Sequence, residues 1–248
     1  NNVALGSQTL QANTTADDNT AVGYAALNVN TTGANNTAVG KFAGLAVTTG
    51  GYNTLVGSLA GDSITTAANN VALGYLAGSA ITTGAQNTAL GSGALSSTTT
   101  GLYNIGVGYD ANSSSATVTG QCTLGDTNIT NLRCNDQTIS SLSDSRDKTD
   151  VIDSPYGLDF IKTVRPVQFK WESRDGNGKD GSTRIGFLAQ ELLAATDGNN
   201  AVLDLVMDDN PDKLEAKYGN LLPIAIQAVQ ELSTALDAAL ARITTLEG

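Results

Sequence analysis

A step of 17 residues governs the first half of this 248-residue chain. Asn2, Asn19, Asn36, Asn53, Asn70, Asn87 and Asn104 keep that step within NVALG, NTAVG, NTAVG, NTLVG, NVALG, NTALG and NIGVG. Gly6, Gly23, Gly40, Gly57, Gly74, Gly91 and Gly108 keep it too, and Thr-Thr pairs followed by Gly or Ala recur between them, as in Thr31-Thr32-Gly33 and Thr65-Thr66-Ala67. A period without insertions means a stack of equivalent units. Seventeen residues is too short for a helical hairpin, and Gly, Asn and Thr are poor helix formers. Each unit suits two short strands and two turns, with Asn and Gly taking left-handed turn conformations. Leu5, Val22, Val39, Val56, Leu73, Leu90 and Val107 are expected to stack as an inward ladder. At about 4.8 Å per coil, seven coils make a rod of roughly 34 Å. One coil buries little, so stacking supplies the stability. A thin roll leaves apolar surface uncovered, and association of three chains about one axis is expected to cover it.

Charge and residue usage narrow the functions. The formal net charge is −11, which disfavours duplex nucleic acid and anionic membranes as partners. No apolar run is long enough to span a bilayer, and no basic-then-apolar signal segment is present. The start at Asn1, inside a repeat, implies a piece of a longer protein. Cys122 and Cys134 are too few for a disulfide framework and read as free thiols from a reducing compartment. The chain has no histidine, so neither a Ser-His-Asp site nor a His-containing zinc site can be built. No metal or cofactor is expected. Tyr24 and Tyr75 share one repeat position, Tyr52 and Tyr103 another; each pair is read as capping the core or lining a face before it is read as a binding platform.

Composition shifts at Ser143. Of 13 Lys and Arg, 11 lie beyond it, with 18 of 24 Asp and Glu, the only Trp (Trp171), three of four Phe and all four Pro. Between the halves, residues 111–142 alternate small apolar and polar residues and read as short strands with turns at Gly120 and Gly125-Asp126, a stalk. Beyond it, Leu158 to Val164 reads as a short helix and Val167 to Trp171 as a strand. Residues 175–182 read as a loop and 184–196 as a strand end running into an amphipathic helix. Residues 201–223 read as one or two short strands and a turn. A long helix follows from Leu222 to Glu247. Its Val229, Leu232, Leu236, Ala239, Ile243 and Leu246 keep 3-4-3 spacing, a coiled-coil seam. An isolated helix of this length is marginal in water, so a partner is implied, and a parallel trimer matches the trimeric roll.

Two resemblances attach to these residues. NTAVG and NTALG with their TTG spacers, over residues 1 to about 110, resemble the head repeats of trimeric autotransporter adhesins and of some phage tail fibres, which form left-handed parallel β-rolls. SDSRDKTDVI, GLDFIKTVRPVQFKW, GFLAQEL and NLLPIAIQAVQEL...LARITTLE, in that order over 143–248, resemble the self-cleaving S74 peptidase family. That family comprises the intramolecular chaperone domains of phage tailspikes and tail fibres and occurs in some eukaryotic membrane-bound transcription factors. The implied fold class is an all-β N-terminal part, a trimeric left-handed parallel β-roll, followed by an α+β chaperone domain ending in a trimeric coiled-coil helix. The implied domains are the roll over 1–110, the stalk over 111–142 and the chaperone over 143–248.

The S74 resemblance implies a catalytic pair, Ser143 and Lys148, with Asp144 and Arg146 in support. A serine hydroxyl needs a base, and without histidine a lysine is the natural one. The amine must be neutral, which burial or a nearby cation such as Arg146 favours. Asp144 and Asp147 act oppositely, so Lys148 has to stand apart from them. The bond cut adjoins Ser143, either Leu142-Ser143 or Ser143-Asp144. The expected protein is a virion appendage, made in the host cytoplasm, whose C-terminal domain drives homotrimer folding and then cuts itself free in a single turnover. A host surface receptor is the expected partner of the roll. The alternative is a cellular trimeric surface adhesin with a non-cleaving clamp. Glycan hydrolysis lacks support, because no carboxylate pair recurs in the roll.

Overall fold

The computed structural model describes residues 1–129, 131–135, 143–170 and 182–247. The chain forms two compact units, 1–131 and 132–248. Trp171, most of the expected loop 175–182, Leu142 and the last part of the expected stalk lie outside the described residues.

The first unit is a parallel β-solenoid. Its strands are β1 (Val3–Leu5), β2 (Thr20–Val22), β3 (Thr37–Val39), β4 (Thr54–Val56), β5 (Val71–Leu73), β6 (Thr88–Leu90), β7 (Ile105–Val107) and β8 (Cys122–Leu124). They form one parallel sheet in sequence order, each residue paired with the one 17 positions on, from Val3 with Thr20 to Val107 with Leu124. The sheet thus continues one strand past the seventh repeat. Each coil carries one strand, not the two expected. The Thr-Thr corner instead bonds from coil to coil as a turn: Thr31 N–H donates to Thr48 O at 2.9 Å and Thr31 Oγ1 to the same oxygen at 3.1 Å.

The inward ladder falls one residue earlier than expected. Ala21, Ala38, Leu55, Ala72 and Ala89, the middle residues of their strands, are buried. Val22, Val39, Val56 and Leu90 are half-buried, and Leu5, Leu73 and Val107 are exposed. The buried asparagines explain the phase. Asn53 lies two residues before Leu55, so strand alternation puts both inside and Thr54 and Val56 outside. Asn53 Oδ1 accepts the N–H of Asn70 at 3.0 Å, and Asn53 Nδ2 donates to Asn36 Oδ1 and Ala67 O, both at 3.0 Å. The same contacts recur along the stack, as in Asn36 N–H to Asn19 Oδ1 at 2.9 Å. The asparagines are therefore a buried hydrogen-bonded ladder as well as repeat markers.

Glycine is required where coils touch. Gly57 has φ +138°, and a Cβ there would lie 2.4 Å from the carbonyl oxygen of Gly74. The stack also holds Phe42, Tyr52 and Leu59 at φ near +60°, a conformation that large side chains rarely take. Inter-coil hydrogen bonds on either side of each impose it: Phe42 N–H to Tyr24 O at 2.9 Å, Tyr52 N–H to Ala34 O at 3.0 Å and Leu59 N–H to Lys41 O at 2.9 Å. All four repeat tyrosines are exposed, so they line a face and do not cap the core.

The second unit is small and α+β. After a 3-10 turn at Ser145–Asp147 come α1 (Leu158–Ile161), β9 (Val167–Lys170), β10 (Thr183–Gly186), α2 (Ala189–Ala195), α3 (Asn200–Leu203), β11 (Val206–Met207), β12 (Glu215–Ala216) and α4 (Leu221–Glu247). α1 is shorter than expected, ending before Val164, and a helical turn opens the segment read as strands. Asn200 makes that turn: its Oδ1 accepts Val206 N–H at 3.1 Å and its Nδ2 donates to Val206 O at 2.8 Å, folding α3 onto β11. The core joins Leu192, Leu203, Leu205, Val206, Leu221 and Ile224, with Tyr156, Phe160 and Phe187 packed against it. The start of α4 feeds this core through Leu221 and Ile224, and Ala228 one turn on is buried as well.

Candidate active site

The candidate site is built on six consecutive residues. Asp144 is extended (φ −66°, ψ 134°) and caps the 3-10 turn, its Oδ1 accepting Arg146 N–H at 2.9 Å. Asp is a strong cap because it satisfies a donor the turn leaves open. The turn reverses the chain between Ser143 and Lys148. Lys148 Nζ thereby meets Ser143 Oγ at 2.6 Å. Ser143 and Lys148, the pair that the S74 resemblance implies, are side by side.

Asp144 also holds Arg146. Its Oδ1 accepts from Nε at 3.0 Å and its Oδ2 from a terminal nitrogen at 2.6 Å, a two-bonded fork. The Arg146 guanidinium holds the Asp144 carboxyl below its usual range, and Asp144 in turn raises the pKa of Arg146. Arg146 is thus occupied by Asp144, a different arrangement from a cation poised beside Lys148. The same fork ties up Asp144, and among the described residues Lys148 makes no ion pair. Ser143 and Lys148 are both exposed in the single chain.

The segment that follows is tied to the long helix. Glu231 Oε2 on α4 accepts the N–H of Leu158 at 2.7 Å, and Gln227 Nε2 donates to Glu231 Oε1 at 3.1 Å. The Leu158 N–H, with Gln227 adding to it, lowers the Glu231 pKa. Gly157 gives the carboxylate room, since a Cβ there would lie 2.2 Å from Glu231 Oε1. Nothing in the linear pattern marks Glu231, which lies 73 residues from its partner.

The expected seam residues lie along α4. Val229, Leu232, Leu236, Ile243 and Leu246 are 49–82% exposed, and Leu222, seven residues before Val229, extends the stripe toward the helix start. Among the described residues no helix is long and apolar enough to cross a membrane, and no acidic, Cys or His cluster could hold a metal ion.

No curated protein and no solved structure gives a significant match to the chain. A family match does exist; it opens at Ser143 and ends at Leu203, before α4, so it contains both members of the close pair. Residues 143–203 match the peptidase S74 family, described as chaperone of endosialidase.

Proposed function

We propose that this chain is part of a phage or virus tail fibre, or a related virion appendage, whose second unit draws three copies together and then cuts itself free beside Ser143. The observation that carries this reading is the 2.6 Å approach of Lys148 Nζ to Ser143 Oγ inside a segment matching peptidase S74. Lys148, neutral, takes the Ser143 hydroxyl proton while Oγ attacks the carbonyl carbon of residue 142. The C–N bond breaks, the proton passes to the departing Ser143 nitrogen, and an ester joins residue 142 to Oγ. Water then hydrolyses the ester, leaving a carboxylate on Leu142 and a free hydroxyl and amine on Ser143. This route uses the serine's own hydroxyl on the carbonyl before it, whereas attack on its own carbonyl closes a strained ring.

Order of events follows from exposure. Burial favours a neutral lysine, and in this reading the copies that come together cover the Ser143–Lys148 pair. Assembly therefore precedes cutting. β-structure built from distant coils folds slowly, and a C-terminal clamp that sets three chains in register shortens that search. Removing the clamp afterwards leaves the product held by its unfolding barrier. The solenoid is the part that meets a host surface receptor.

Light scattering and denaturing electrophoresis of wild type, Lys148→Ala and Leu236→Asp test this together. Lys148→Ala is expected to stay full-length yet trimeric; Leu236→Asp is expected to be monomeric and full-length. Processing of both at the wild-type rate would overturn the proposal.

A further inference from the structure

The C-terminal end of the solenoid is bonded differently from the coils before it. Val47, Ile64 and Ile81 hold one buried position in successive coils, and Thr98 holds it next, also buried. Thr98 Oγ1 lies 2.6 Å from Ser113 Oγ. Ser113 donates its own hydroxyl proton to Ser115 O at 2.9 Å, so Thr98 is the donor of the pair. Backbone acceptors also give way to side chains. Ala12 and Ala46 donate their N–H to the carbonyls of Asn28 and Asp62, both at 3.0 Å, but their counterpart Ser97 donates to Asn112 Oδ1 at 3.0 Å. Leu102 N–H reaches Thr119 Oγ1 at 3.3 Å. The asparagine ladder ends in the same stretch. Gln121 stands where the next Asn would be, and its N–H donates to Asn104 Oδ1 at 3.0 Å. In earlier coils the side-chain oxygen accepts from the coil that follows, as Asn53 does from Asn70. Gln121 Oε1 instead turns back and accepts Ser114 N–H at 2.7 Å and Ser114 Oγ at 3.1 Å.

We infer that residues 112–121 are a polar plug that finishes the solenoid from within the first unit, so that its coils stay closed without the second unit. An open end of a stacked core presents aliphatic side chains and unmatched backbone groups to water, which is why the last unit of a repeat array needs a polar outer face. Here hydroxyls take the place of the aliphatic side chain at the end of the core. The side-chain oxygen that a further coil would have used is occupied by Ser114. Glutamine makes that return possible, because its extra methylene lets the oxygen reach back while its N–H keeps the register bond to Asn104. All the bonds of the plug lie between Ser97 and Gln121, inside the unit that spans 1–131. The plug acts in the undivided chain and, in the reading above, keeps the solenoid folded once the second unit is gone.

Hydrogen exchange in the full chain tests this at Ile105, whose N–H donates to the carbonyl of Gln121 at 2.8 Å. Leu192→Asp combined with Leu205→Asp puts two charges into the core of the second unit and is expected to strip protection from α2. In that chain exchange at Ile105 is expected to stay within about twofold of wild type. Gln121→Ala is expected to speed exchange at Ile105 about tenfold or more, with a smaller change at Thr37, four coils earlier. Gln121→Glu keeps an acceptor for Ser114 and is expected to restore protection. Three results each overturn the proposal: Ile105 losing protection together with α2 in the core variant, Ile105 unchanged in Gln121→Ala, or Gln121→Glu exchanging as fast as Gln121→Ala.

Discussion

The side chain of Asn53 accepts the backbone N–H of Asn70 at 3.0 Å, 17 residues on and with both residues buried. That one bond links the repeat to its register, because it forms only when successive coils are aligned. Removing it strands a buried donor on Asn70 and a buried acceptor on Ala67. Asn53→Ala is expected to cost roughly 2–4 kcal/mol of solenoid stability, measured by chemical denaturation. Asn53→Asp is expected to cost more, since it keeps the shape but loses both donors and buries a charge.

Asp62 is the one charged residue at its repeat position, where Gln11, Asn28, Leu45, Ser79 and Ser96 stand in other coils. Its Oδ1 is buried without a hydrogen-bond partner among the described residues, and burial raises the carboxyl pKa. A carboxyl raised in the folded state destabilises it fully above that raised pKa. The penalty fades as pH falls toward the unfolded value, about 3.9. Asp62→Asn is therefore expected to raise the melting temperature at pH 7, with the gain over wild type shrinking on approach to pH 4. A gain that grows on acidification would contradict this.

The Asp144 cap is expected to matter for cutting and not for stability. Arg146 lowers its pKa, so the charged cap is present above the ordinary carboxylate range and is lost only as pH falls through the lowered value. Asp144→Ala removes cap and fork together, and displacement of Lys148 from Ser143 is expected to slow processing roughly ten- to a hundredfold. Asp144→Asn retains a capping oxygen and is expected to fall between. Thermal melting should not move, because the pair is exposed.

Glu231 holds α1 against α4 through the Leu158 N–H. Glu231→Ala and Gly157→Ala are each expected to speed amide exchange over Leu158–Ile161 about tenfold, as local opening becomes easier. Glu231→Gln keeps an acceptor and is expected to stay near wild type. Equal exchange in all three variants would remove the carboxylate from this role.

Much of this was legible in the chain because it is periodic or local. A 17-residue step admits stacked coils and little else, and 3-4-3 spacing marked the α4 stripe. Ser143 and Lys148 were singled out by the resemblance of SDSRDK to the S74 family, since their five-residue spacing alone reads as an ordinary polar loop. The phase of the strands was not legible. Ala and Val alternate in Thr-Ala-Val, and only the burial of Asn36 two residues before Ala38 decides which faces in. The single strand per coil was hidden for a similar reason: Thr-Thr corners bond between coils without extended pairing. Glu231 was invisible because its partner is a backbone group far away in sequence, and α3 because Asn200 folds it back by two side-chain bonds.

The most direct test is the intact mass of wild-type protein under denaturing conditions, beside Ser143→Ala, with the N-terminus of any C-terminal fragment sequenced. Cutting beside Ser143 gives two wild-type fragments, the second beginning at Ser143, and a single full-length Ser143→Ala chain. Undivided wild-type protein, or a Ser143→Ala chain cut as efficiently as wild type, would contradict it.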